Sequence, residues 1–325
     1  MVEKFGVSYY RKISNFGIAV LKSVGTFQNI DGRSRETSFP FISGDTYRAM
    51  ATHYFDLEFA GRLARGIREM PPNPCETGSV VFTECILLKN QSFEDELRKW
   101  VDSQGFPQGV KFVFGNGDDP PRPELRDFLT HRGHKVFSHN LLDGEDGVTP
   151  IPLGLQNATH RSFGVIDDFL LFLDESRNPP LIERQRDILV YGSFALRSNR
   201  SEREKLSQLL ANSRFGFSEP NRSVRENRAM LLRSKFVPSP SGVGPDCYRT
   251  WESIYLGAVP VLRSGTIAQS ITDDLPVWIL DDWEELTDSS DDDLERKYSE
   301  LRSRSRGKAF FPYWQSIIGG GPENY

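Results

Sequence analysis

The sequence predicts an α/β fold built from two parallel-sheet, Rossmann-like domains that face a cleft. Three observations carry that expectation. The chain has 325 residues, enough for about two domains of ordinary size. Its composition, 38% hydrophobic and 12% aromatic, lets each domain bury a core of its own. From residue 79 onward, short apolar runs alternate with amphipathic stretches about ten residues long, the pattern of parallel strands joined by right-handed helical crossovers.

The elements follow in order. FPFISGDTYRAMATHYF (39–55) reads as a loop whose Ser43, Gly44 and Asp45 cap a helix from about Thr46. SVVFTECILL is a predicted strand, FEDELRKWVDSQ a helix, VKFVFGNG a strand, PELRDFLTH a short helix, KVFSHN a strand and TPIPLGL a further extended run. DESRNPPLIERQRD (174–187) is polar and holds two prolines, so it is the expected linker between domains 1–178 and 179–325. The second series opens with strand DILVYGSF and continues with helices SEREKLSQLLANS and SVRENRAMLLRS. Strand KFVPSP, helix CYRTWESIYLG and strands AVPVLRSG and PVWILDD follow. The tail from about Glu284 reads as helical, with Pro312 expected to break or kink AFFPYWQSII. Its aromatics Phe310, Phe311, Tyr313 and Trp314 are expected to pack back across the domains. Ligands of open α/β sheets bind beyond the carboxyl ends of the strands, so function is expected in the loops that follow strands.

Charge and composition narrow the function classes. A formal net charge of −5 disfavours a nucleic-acid partner, which selects a basic excess. The first forty residues lean basic (Lys4, Arg11, Lys12, Lys22, Arg33, Arg35), consistent with no more than a weak peripheral attraction to a membrane surface. FGIAVL falls far short of the roughly 20 apolar residues of a span and lacks a cleavage site, so a cytoplasmic protein is expected. Cys75, Cys85 and Cys247 form no C-x-x-C pair, and His131 and His134 lack an H-E-x-x-H context, so neither a disulfide framework nor a metal site is expected.

The loop after KFVPSP carries the strongest functional signal. Ser239, Ser241, Gly242 and Gly244 leave the strand with little side-chain bulk, so backbone N–H groups can approach a ligand closely. Asp246 stands where an N-cap belongs. Cys247, Tyr248, Trp251, Ile254, Tyr255 and Ala258 follow helical spacing and are expected to face the core, while Arg249 and Glu252 share another face in the opening turns. Amides and a helix start accept phosphates, Arg249 adds a fixed positive charge, and Glu252 can accept from ribose hydroxyls. A tight turn bearing a surface Arg–Glu pair is the plainer alternative. Gly242-x-Gly244-x-x-Cys247 only approaches a dinucleotide fingerprint: Cys replaces the third glycine, and the strand-end acid is missing at Arg263–Ser264.

The run RSKFVPSPSGVGPDCYRTWESIYLGAVPVL (233–262) resembles the exostosin-like glycosyltransferases, glycosyltransferase family 47, at Pro240, Gly242, Arg249, Glu252, Gly257, Pro260 and Val261. Weaker echoes fall in 112–157 and 188–204. The resemblance implies a GT-B architecture and inverting transfer without a D-x-D metal site or other cofactor. It also implies a nucleoside diphosphate sugar as donor substrate, contacted by Arg249 and Glu252, and a glycan or glycolipid acceptor.

In such a cleft Ser193, Arg197 and Arg203 of YGSFALRSNRSERE would face the donor phosphates. Inversion needs a general base from the first domain. Asp118 of FVFGNGDDPP is the leading candidate, His139 of KVFSHN the second, and Glu84 is expected to lie too deep in its strand. N-G-D at 116–118 and D-G-E at 143–145 are imperfect D-x-D matches, and the D-D-D run at 291–293 is expected at a helix start. A non-catalytic nucleotide- or sugar-binding scaffold of a polysaccharide-biosynthesis complex is the alternative. Glu252→Ala is expected to abolish donor binding with the fold intact.

Overall fold

A computed structural model describes residues 26–28, 34–36, 38–55, 75–103, 105–158, 166–174, 178 and 180–320. Lys4, Arg11, Lys12, Lys22, Arg33 and the FGIAVL run lie outside the described residues. The chain is α/β, with two parallel sheets of five and four strands and a small antiparallel pair, β1 (Thr26–Gln28) and β2 (Ser34–Glu36).

The first sheet runs β3 (His53–Phe55), β4 (Val80–Glu84), β5 (Lys111–Gly115), β6 (Lys135–Ser138) and β7 (Val148–Pro150), in sequential order and parallel throughout. Its helices are α1 (Gly44–Ala49), α2 (Gln91–Val101), α3 (Pro123–Thr130) and α4 (Asp167–Leu173). Near-continuous apolar strands such as FVF at 112–114, fully buried, are what a sheet covered on both faces requires. The predicted strand SVVFTECILL ends early. After Glu84 the apolar residues CILLK wind into a 3₁₀ helix that buries Cys85 and Leu87. Helix α1 starts two residues before the expected Thr46, with Ser43 as the N-cap that accepts from the Thr46 amide at 3.2 Å.

The second sheet contains β8 (Ile188–Val190), β9 (Ser234–Pro238), β10 (Val259–Arg263) and β11 (Trp278–Leu280), again parallel and in sequential order. Helices α5 (Arg200–Asn212), α6 (Val224–Arg233) and α7 (Tyr248–Tyr255) belong to its crossovers, and α6 opens on a capping box between Ser223 and Glu226. Then come α8 (Gln269–Thr272), α9 (Glu284–Asp288), α10 (Asp291–Arg302) and α11 (Phe311–Gly319). Acids 291–293 fill the first turn of α10 behind the Ser290 cap, where the helix dipole favours them. Pro312 does not break the tail helix. It stands in the first turn of α11, where its missing N–H has no intrahelical role. Neither sheet reverses its strand order among the described residues, so neither has an internal switch point.

One apolar cluster runs through both sheets. At its centre Phe41 packs on Tyr255 (ring centroids 4.8 Å apart), Phe169 (5.5 Å) and Phe310 (6.0 Å). The Tyr255 hydroxyl accepts from the Ile42 amide at 3.2 Å and donates to the Ala309 carbonyl at 2.6 Å, which satisfies the polar end of a fully buried ring. Helix α11 lies against the first sheet's side of the molecule: Phe311 N–H bonds the Pro40 carbonyl, and Lys111 Nζ donates to the Gly319 carbonyl at 2.8 Å. No helix among the described residues is long and apolar enough to cross a membrane.

Candidate functional site at the carboxyl ends of the two sheets

The loops leaving β5 and β6 meet the loop leaving β9. Asn140 makes the junction. It follows β6 in the left-handed region (φ 60°), a conformation its short amide tolerates. Its Oδ1 accepts the Asp246 amide at 3.1 Å, and its Nδ2 donates to the Asp118 carbonyl at 2.7 Å. A Cβ on Gly244 would stand 2.7 Å from that Nδ2, so only glycine permits this approach. Asp143 also crosses, accepting from the Ser270 amide at 3.0 Å and from its hydroxyl.

Asp246 is not the expected N-cap. Cys247 holds that position without a side-chain cap bond, and the buried Asp246 carboxylate turns instead to the Leu153 amide (2.9 Å) and the Trp251 indole N–H (2.9 Å). A fully buried indole needs an acceptor, and this requirement outweighs the capping preference. Burial pushes the Asp246 carboxyl up to about 7, against the pull of those N–H donors. Tyr248, expected in the core, is 39% exposed beside this seam.

The loop itself is tight: Gly242 N–H bonds the Gly244 carbonyl at 2.9 Å. Arg203 holds it from beneath, donating to the carbonyls of Ser241 (2.8 Å), Ala195 (2.7 Å) and Pro240 (3.1 Å). Arg203 thus shapes the loop with the nitrogens expected to meet phosphate. Helix α5 begins at Arg200, so Arg203 lies a turn inside it. Of the amides at 241–246, those of Gly242 and Asp246 are used and Pro245 has none. Those of Ser241, Val243 and Gly244 take no hydrogen bond within the described protein.

Behind the loop lies a charged cluster. Glu252 Oε1 faces Arg228 Nε and Nη2 at 3.4 Å each, and Arg228 Nη1 faces Asp168 Oδ2 at 3.5 Å. Arg228 is 1% exposed and stacks 4.3 Å over the Phe169 ring. It therefore joins α4, α6 and α7. Glu252→Ala would strip a buried guanidinium of one of the two carboxylates it faces among the described residues, so that variant is expected to lose stability as well as any ligand contact. Burial raises the Glu252 carboxyl, while Arg228 and Arg249 hold it down. Its Oε2 makes no hydrogen bond within the described protein.

Arg249 is half-buried, and its Nη1 is enclosed without a hydrogen-bond partner. Its pKa is lowered by burial, offset by the negative charge of Glu252. Ser193, just past β8, is 1% exposed, and its Oγ is likewise enclosed and unpartnered. β8 and β9 are paired neighbours, with Val190 opposite Phe236, so Ser193 and the 239–246 loop leave the same edge of the sheet. Arg197 lies in a 3₁₀ turn before α5 and makes no hydrogen bond or ion pair with the described protein.

On the first sheet's side, Asp118 is exposed at the seam. It is close enough that its charge, after burial, helps raise the Tyr248 phenol to about 12. His139 is buried, with Nε2 against the Gly117 carbonyl. Burial lowers its pKa, and the carbonyls of Gly117 and Phe114 and the charge of Asp118 raise it. An imidazole so enclosed has no lone pair turned to the gap. Glu84 ends β4, accepts from Asn116 Nδ2 at 2.9 Å, and belongs to a chain through Asn157 to the Asp45 amide. Sequence reasoning passed over Arg228 and Asp168, and read Asn140 only as a possible cap. An arginine at α-helical spacing on a charged helix gives no sign of burial, and partners 24 or more positions away leave no local pattern. A scan against protein-family models and a search of curated proteins each returned no match to this chain.

Proposed function

We infer that the chain is an exostosin-like glycosyltransferase of GT-B type. It would move a sugar, with inversion, from a nucleoside diphosphate donor to a hydroxyl of a glycan or glycolipid in the cytoplasm. The observation that carries this reading is the pair of enclosed, unpartnered polar atoms, Arg249 Nη1 and Ser193 Oγ, at the carboxyl end of adjacent strands. A buried polar atom without a partner costs about 1–3 kcal/mol. Diphosphate oxygens would supply acceptors for these atoms, and the amides of Ser241, Val243 and Gly244, which take no hydrogen bond within the described protein, would add donors.

In this reading Glu252 Oε2 accepts from the ribose while Arg228 holds the other oxygen. Asp118 takes the acceptor proton, the acceptor oxygen attacks the anomeric carbon, and the bonding pair of the departing diphosphate is stabilised by Arg249. Base assistance of this kind is worth about 10²–10⁴-fold. No metal step is invoked.

The test is Arg249→Gln, read by thermal shift against a panel of nucleotide sugars and by transfer to added glycans. A variant with the parent melting temperature that has lost both the shift and transfer supports the reading. An undiminished shift removes Arg249 from the site. A scaffold that binds nucleotide sugar without turnover is the second reading, favoured by the enclosure of His139, which leaves Asp118 as the one remaining base candidate of the pair. Binding without transfer or donor hydrolysis would select it.

A further inference from the structure

The seam that joins the two sheets carries an aromatic side chain that the fold does not use. We propose that Tyr248 is the platform on which a sugar ring of the acceptor stacks, so that the acceptor is recognised as a glycan, by the face of a pyranose, and not by a lipid tail. The role of that glycan as acceptor rests on the transferase reading above; its contact with Tyr248 does not.

Tyr248 opens α7 directly after the N-cap Cys247. It shares a helix face with Trp251 and Tyr255, three and seven positions on. Those two rings are fully buried, whereas Tyr248 is 39% exposed. The apolar stripe of α7 therefore leaves the core at its first turn, and its last ring emerges at the seam. The hydroxyls of Tyr47, Tyr191 and Tyr255 each have a hydrogen-bond partner. That of Tyr248 makes no hydrogen bond within the described protein.

Asp118 stands across the same junction. Asn140 ties its carbonyl to the amide of Asp246, two residues before Tyr248, and a Cβ on Gly244 would lie 3.2 Å from that carbonyl. The Asp118 carboxylate is exposed and makes no hydrogen bond or ion pair within the described protein. Burial first, and then the charge of Asp118, push the Tyr248 phenol up to about 12, so it keeps its proton and remains a donor at neutral pH. The surroundings are apolar. Of the six large apolar side chains exposed among the described residues, Ile86, Leu142, Val243 and Tyr248 follow the carboxyl ends of β4, β6 and β9. A pyranose has the matching two-sided character: a CH face for the ring, and hydroxyls for the carboxylate and the phenol. An alkyl chain would cover the apolar residues and leave both polar groups without partners.

The full chain is screened on an array of defined oligosaccharides, and the tightest ligand is titrated by calorimetry. Saturable binding of an underivatised oligosaccharide is expected. Tyr248→Ala should weaken it about tenfold, and Tyr248→Phe, which keeps the stacking face, should stay within about threefold of the parent. Where transfer is measured, Tyr248→Ala should raise the acceptor KM with kcat little changed, and its thermal shift with nucleotide sugar should match that of the parent. Crystals of the unmodified protein soaked with the same oligosaccharide should show a pyranose against the Tyr248 ring, a readout that does not depend on how the variants fold. Undiminished glycan binding by Tyr248→Ala, binding that requires an alkyl or polyprenyl tail on the sugar, or no binding across the array would each overturn the proposal. The two readings fail separately. Glycan binding through Tyr248 without any nucleotide-sugar shift removes the transferase alone. An Arg249-dependent donor shift beside glycan binding indifferent to Tyr248 removes the stacking platform alone.

Discussion

The two ends of the second sheet handle buried charge in opposite ways. At the carboxyl end, Asp246, Glu252, Arg228 and Arg249 mix both signs, and partners come from both sheets' sides of the molecule. At the amino end, Arg186 is held by three carbonyls and faces only cations and a tyrosine. Ion pairs that already balance leave single atoms, Arg249 Nη1 and Ser193 Oγ, for a ligand to complete.

Titrating Asp246 breaks the comparison most severely. Its folded pKa, about 7, lies above the ordinary carboxyl value, so its contribution is complete below about pH 4 and is lost as the pH rises towards 7. At about 1.4 kcal/mol per pKa unit, the decline approaches about 4 kcal/mol. Asp246→Asn should flatten that slope, and equal slopes in the two proteins would contradict the assignment. Removing Arg186 gives the next effect. Arg186→Met removes three hydrogen bonds to carbonyls, one of which, Leu231, keeps the Ser234 amide as a donor, so a loss of about 3 kcal/mol is expected in urea unfolding. A loss below about 1 kcal/mol would show that those carbonyls find other donors.

Glu252→Ala should cost about 3 kcal/mol through Arg228. Paired with Arg228→Met, it should cost less than the sum of the two single changes, because the two side chains contact each other and each single change removes the same interaction. Strict additivity would show that the 3.4 Å contacts carry no coupling. Gly244→Ala, the smallest effect, should cost about 1–2 kcal/mol by displacing Asn140, and less in an Asn140→Gly background where the amide is absent.

Much of this architecture was legible in the sequence because strands such as KFVFG and helices such as QSFEDELRKWV carry their periodicity within a few residues. Helix α4, DDFLLFL, was not: its run FLLFL shows no polar face from which to read a period. CILLK read as strand for the same reason. The loop at 239–246 and the orientation of Arg249 and Glu252 followed from glycine content and helical spacing. The role of Arg203 did not, because a helix-start arginine looks the same in sequence whether it meets a phosphate or the Ser241 carbonyl. The Asp246–Leu153 bond spans 93 positions, and a separation of that kind is set by tertiary packing alone.

The Tyr255 hydroxyl bears on how the polypeptide can be divided. It ties Ile42 and Ala309 to one phenol, so a break at 178/179 would sever the chain while every partner of that phenol and of the Phe41–Phe169–Phe310 cluster stayed attached to one fragment or the other. Each fragment alone would present a sticky aromatic face to water. Co-expressed, the two pieces should recombine through that face, and a Tyr255→Phe fragment should recombine more weakly than its parent.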